Sequence, residues 1–177
     1  MKKNTFLKIW YNSSVAVLPI LTGEKNPVLR AKTKKIPRIT KGILKLLKDM
    51  EETAQSSNGA GLAATQIGRS ERICIARIGQ KLTALINPEI PWISTTLESA
   101  EEGCLSLPDI WLYIPRPSEV ILRYMSLEGK KIELKLSGWD ARVVQHEVDH
   151  LDGVLIVDYR AVSPKKGQSR EKVRRKI

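Results

Sequence analysis

The sequence predicts an α+β fold, with mostly antiparallel strands around a central helix that carries a His-Glu-x-x-His (HExxH) pattern, an N-terminal helix and a basic C-terminal tail. Three observations predict it. One amphipathic segment precedes the apolar strand patterns, those strands are mostly joined by short turns, and a second helical pattern follows them. No internal repeat or low-complexity block interrupts this order. At 177 residues and 42% hydrophobic content the chain can bury one sizeable core, so a single domain spanning 1–177 is expected, with residues 1–14 as an N-terminal extension.

Residues 17–38 contain Pro19, Pro27 and Pro37 and read as an extended, irregular entry. In "TKGILKLLKDMEETAQ" (40–55), Ile43, Leu44, Leu46, Leu47 and Met50 recur at helical spacing, and Thr40 is suited to cap the first turn. "SSNGAGLAATQIG" (56–68) is rich in glycine and small residues and reads as a loop. "RICIARIG", "LTALINPEI", "SEVILRYMS" and "KKIELKLSG" read as strands, the last two joined by a turn at Glu128-Gly129. From Gly138, "WDARVVQHEVDHL" places Ala141, Val144, Val148 and Leu151 on one helical face.

Composition excludes several classes. Lys2, Lys3 and Lys8 give the start a look of targeting, but the apolar stretch is broken by Lys8 and Asn12-Ser13-Ser14, and Pro19 interrupts the next, so no secretory signal is expected. No run approaches the roughly 18 apolar residues of a membrane span. Cys74 and Cys104 are expected as reduced thiols of a cytoplasmic chain. The net charge of +11 is uneven: residues 1–48 carry +11, the tail 161–177 carries +6, and 49–160 carry −6. A polyanion such as RNA would meet the termini first, unless they only keep the chain soluble.

His146 and His150 are the only two histidines. Residues i and i+4 of a helix share a face, so both imidazoles can reach one metal ion, the alternative being two surface histidines at helical spacing. Glu147 then sits where a general base takes a proton from an activated water. A catalytic site usually has three protein ligands. The third is a downstream carboxylate or a cysteine elsewhere, and "EEGCLSLP" (101–108) offers Cys104 in a stretch that suits neither a regular helix nor a central strand. Cys74, between isoleucines, reads as a buried hydrophobe. Gly59 and Gly61 mark a loop where backbone must approach something closely.

"GAGLAATQIG" (59–68), "EEGCLSLP" (101–108) and "QHEVDHLDG" (145–153) together resemble the three signature motifs of the peptide deformylases, in order and spacing, and the likeness runs over roughly residues 18–160. The resemblance implies an enzyme that removes the N-formyl group from the initiator methionine of nascent bacterial or organellar polypeptides, hence a bacterial cytoplasmic chain with an organelle as the other compartment. It implies Cys104, His146 and His150 as metal ligands and Glu147 as acid/base. Gln66 and the backbone N–H of Leu105 become oxyanion donors, and Ala60, Gly61, Gly103, Trp139, Val143 and His146 surround the substrate. Gln66 read by itself is an ordinary polar loop residue, and Trp139 and Val143 would equally suit a core.

One divalent ion is expected. The ligand types suit Zn2+, Fe2+, Co2+ or Ni2+ and affinity favours zinc over iron, whereas the resemblance points to Fe2+ in vivo and to Cys104 oxidation as the route of inactivation. The expected partners are N-formylmethionyl peptides and, through the basic termini, the ribosome. No membrane or DNA partner is expected, and the chain is expected to be a monomer. Trp111 reads either as a wall of far substrate subsites or as a core cover. Asp149 and Asp152 read as ligand orienters or as partners of arginines such as Arg116 or Arg142. The rival readings are a metallohydrolase with another peptide or amide preference and a nonenzymatic ribosome- or RNA-binding protein.

Overall fold

The computed structural model describes residues 15–161; the expected extension at 1–14 and the tail beyond 161 lie outside the described residues. The entry segment runs without regular structure to α1 (Lys41–Ser56). Thr40 caps this helix by accepting from the Ile43 N–H at 3.3 Å. Ile43, Leu47, Met50 and Ala54 are buried along one side of it. Two polar side chains on the helix hold the entry segment: Asp49 accepts from the Ala16 N–H at 3.1 Å and Thr53 Oγ1 from the Leu18 N–H at 2.9 Å.

The expected glycine-rich loop is more regular than its composition suggests. Gly61–Ala63 forms a short strand, β1, and Ala64–Ile67 a 3-10 turn ended by Gly68 in the left-handed region. Leu62, Ala63 and Ala64 are fully buried, so small side chains mark close packing here rather than exposure. β2 (Ile73–Ile78), β3 (Lys81–Ile93), β6 (Glu119–Met125) and β7 (Lys131–Ser137) follow the four strand patterns, and Gly129 makes the β6–β7 turn at a φ of 78°. With β1 they form an antiparallel sheet of order β1-β2-β3-β6-β7. β3 tolerates Pro88 and Pro91 through register shifts on its β6 side.

A second, two-stranded sheet joins β4 (Leu97–Cys104) to β5 (Leu107–Pro117). The sequence reading expected neither a regular helix nor a central strand through 101–108, and a two-stranded sheet has no central strand. A hairpin sheet has outer edges that accept Pro108, Pro115 and Pro117, and the β4–β5 register shifts just before Cys104. α2 (Gly138–Leu151) packs against β1 and β2 and buries Ala141, Val144, Val148 and Leu151, as its spacing requires.

The larger hydrophobic cluster lies between α1, α2 and the five-stranded sheet. A smaller one gathers Leu29, Leu107 and Ile114 against Leu155, Ile156 and Val157, with Cys104 partly packed on it. No helix among the described residues is long and apolar enough to cross a membrane.

Candidate active site

The third and last turns of α2 bring His146 and His150 to the seam between the two sheets, where the β4–β5 hairpin delivers Cys104. Their ligand atoms lie within 4.8 Å of one another, forming a group able to hold a metal among the described residues. Cys104 Sγ is 3.2 Å from His150 Nε2. Two such ligands on one tetrahedral ion would stand about 3.5 Å apart, so the donor set fits a single ion.

The electrostatics agree with that fit. Burial and the neighbouring His146 drive the His150 pKa well below its ordinary value, which leaves a neutral imidazole free to ligate. Burial acts the same way on His146, but its bonds to the Cys104 sulfur and the Glu102 carboxylate win and push its pKa up to about 10. Surroundings that hold a proton there also hold a cation. Cys74 is fully buried, and burial, then Glu147, raise its thiol well above the usual range, in keeping with a packing role.

Glu102 had no role of its own in the sequence reading, although it lies in "EEGC". The structure places its carboxylate under His146, accepting from Nδ1 at 3.0 Å and leaving Nε2 for an ion. The same carboxylate accepts from Arg116 Nε at 2.6 Å and Nη2 at 2.9 Å, and from Arg142 Nη1 at 2.6 Å. Burial would raise the Glu102 pKa, yet the bonds from His146 and Arg116 hold it down at about 2. Of the two open aspartates, Asp149 accepts from Arg116 at 2.7 Å and from the Tyr159 hydroxyl at 2.8 Å. Asp152 pairs instead with Arg72 at 2.8 Å, a partner the sequence reading did not name.

Glu147 is 3% exposed, and burial pushes its pKa up to about 7. Its Oε2 finds no hydrogen-bond partner within the described residues. A carboxyl with that proton affinity can both accept and return a proton near neutral pH. Gln66 is also buried, and its amide orientation is fixed: Oε1 accepts from the Ala63 N–H at 2.8 Å, which turns Nε2 toward Ser106 Oγ at 3.1 Å and Cys104 Sγ at 3.8 Å. Ser106, fully buried, was not singled out in the sequence.

Gln66, Glu102, Cys104, His146 and Glu147 open into one cleft of about 470 Å3, lined also by Ala60, Gly61, Gly103, Leu105 and Val143, while His150 and Ser106 are buried behind it. Trp111 and Trp139 line it too and are 65% and 57% exposed, so neither is a core residue. β1 and β4 each hydrogen-bond to a strand on one side only, which leaves two backbone edges at this end of the molecule.

A Cys-His-His cluster beside a buried carboxyl of near-neutral pKa is suited to activating water against a polarised carbonyl. Fold and site thus define the class: a hydrolase working with one divalent metal ion. The sequence profile described as Polypeptide deformylase matches residues 17–166, and the chain belongs to that family. It removes the N-formyl group from nascent polypeptides.

The peptide deformylase of Pseudothermotoga lettingae is 47% identical over 133 residues, covering 75% of this chain and 77% of that one. That of Thermotoga maritima is 43% identical over 141 residues, with 80% and 85% covered. The crystal structure of the Thermotoga maritima enzyme superposes with a TM-score of 0.78 at 41% identity, over 80% of this chain and 96% of that one. A Met-Ala-Ser-bound peptide deformylase of Acinetobacter baumannii superposes with a TM-score of 0.77 at 32% identity, over 82% and 99%.

Proposed function

We propose that Cys104, His146 and His150 hold the ion, that Glu147 moves the proton, and that Gln66 with the Leu105 N–H receives the oxyanion. One observation carries this reading: a three-donor metal cluster lies directly beside a buried carboxyl whose pKa is about 7. A divalent ion bound there supplies Lewis acidity and lowers the pKa of water. Iron(II) is the ion proposed in vivo, with Zn2+, Ni2+ or Co2+ able to substitute on the same ligands.

The chain's own groups perform the remaining steps. An extended formyl-Met peptide adds to the free edges of β1 and β4 at Ala60, Gly61 and Gly103. Its methionine side chain enters beside Trp139 and Val143. Gln66 Nε2 and the Leu105 N–H donate to the formyl oxygen as negative charge develops on it. Glu147 accepts a proton from the attacking water and passes it to the departing amine nitrogen. That a relative of this fold is solved with Met-Ala-Ser bound supports a peptide as the ligand. The chain acts as a monomeric, single catalytic domain in the bacterial cytoplasm, and its basic termini, residues 1–48 and 161–177, direct it to ribosomal RNA.

The test pairs metal content with turnover. Formyl-Met-Ala should be cleaved far faster than acetyl-Met-Ala, because an added methyl crowds the cluster. Glu147→Gln should keep its metal and lose about 10²–10⁴-fold in rate. A metal-replete Glu147→Gln protein within tenfold of wild type removes Glu147 from the mechanism, and equal cleavage of the acetylated peptide removes this substrate reading.

A further inference from the structure

Gly61 lies in β1, paired with Ala76 of β2. Its φ is not in the left-handed region, so the backbone does not require glycine there. A glycine inside a strand also costs about 0.5–1 kcal/mol relative to alanine. What the position requires is room. A β-carbon built on Gly61 would stand 2.6 Å from Cδ and 2.8 Å from Cγ of Glu147, and closer still to Oε1.

We propose that Gly61 is the positioning residue for Glu147, the absent side chain being the slot in which the carboxyl is seated. The inference rests on the proton-transfer role proposed for Glu147. α2 fixes the Glu147 backbone from one side, and β1, hydrogen-bonded to β2, supplies a wall from the other. Only a hydrogen atom on Gly61 leaves the carboxyl between them. Because the obstructed atoms are the end of a side chain, Gly61→Ala displaces Glu147 by roughly an ångström and spares the strand, and a shift of that size can cost about 10²-fold in rate.

The experiment is a four-protein cycle: wild type, Gly61→Ala, Glu147→Ala and the double variant. Each is assayed for metal content, kcat and KM on formyl-Met-Ala, and Tm. Gly61→Ala should retain metal, lose about 10²-fold in kcat and change KM by less than about threefold, because the lost interaction acts in the transition state. In the Glu147→Ala background the added methyl enters vacated space, so kcat should change by less than about threefold. The Tm effect should reverse sign between backgrounds: a decrease in wild type, and an increase once the carboxyl is gone and alanine replaces a strand glycine.

Equal kcat and Tm costs in both backgrounds would overturn the proposal and leave Gly61 acting on the substrate backbone alone, as would a KM rise without kcat loss. If Gly61→Ala does not fold, recovery of folding in the double variant supports the slot and continued failure overturns it. An inactive wild type would instead count against the proposed mechanism, and the Tm reversal would still be readable.

Discussion

Replacing Glu102 with glutamine keeps the shape of the side chain and removes the charge on which three cationic or ligand groups converge. Arg116, Arg142 and His146 all donate to this carboxylate, which is 6% exposed. An amide offers one acceptor oxygen where two are used, and turns an N–H group toward a guanidinium. The carboxyl is held at about 2 against an ordinary 4.5, because the His146 and Arg116 bonds outweigh its burial. At about 1.4 kcal/mol per pH unit, that depression corresponds to about 3 kcal/mol of folding stability, the order expected when one partner of a buried ion pair is lost.

For a chain of this length the loss lowers Tm by about 6–12 °C. Freed from Nδ1 orientation, His146 should also hold metal about 10–100-fold more weakly. The depressed value fixes the sign of the pH dependence. The stabilisation is present in full above pH 4.5, where a free carboxyl is ionised in either state, and it is lost as pH falls toward 2. The Tm gap between wild type and Glu102→Gln should therefore narrow progressively as pH falls from about 4.5 toward 2. Thermal unfolding at several pH values, with a chelator-competition titration of metal, measures both quantities. A variant within about 2 °C of wild type at pH 7, with unchanged metal affinity, would refute the reasoning.

Cys104→Ala and His150→Ala should each abolish metal retention while Cys74→Ala leaves it intact; elemental analysis finding equal metal in wild type and Cys104→Ala would remove the ligand assignment. Gln66→Leu should retain metal and slow deformylation by about 10²–10³-fold, checked by steady-state kinetics on formyl-Met-Ala. Removing residues 165–177 should weaken cosedimentation with ribosomes and flatten its salt dependence, while turnover of short peptides stays nearly unchanged.

Much of this arrangement was legible in the sequence because it follows periodicity. Apolar spacing placed α1 and α2, and the i, i+4 histidines followed at once from the second helix. The β4–β5 hairpin was not legible because β5 hides its alternation. Leu112 and Ile114 face inward while Trp111 and Tyr113, 65% and 63% exposed, are as apolar on the other face, and prolines interrupt the run. The site was legible through its motifs, but its support was not. Glu102 meets Arg142 across 40 residues and His146 across 44, a pairing no local pattern can announce. Gln66 looked like a loop side chain until the Ala63 N–H fixed which end of its amide faces the sulfur.

The two hydrophobic clusters share this seam without merging across it: the α2 apolar face belongs to one and Cys104 leans on the other. An ion held by Cys104 and the two histidines would therefore act as a gauge of how the hairpin is aligned with the helix. Substitutions deep in either cluster, far from any ligand, should be felt as altered metal occupancy before they are felt as altered fold. Mutations sought for stability in this protein would be sorted by whether they move the hairpin relative to the helix, a distinction that residue burial by itself does not make.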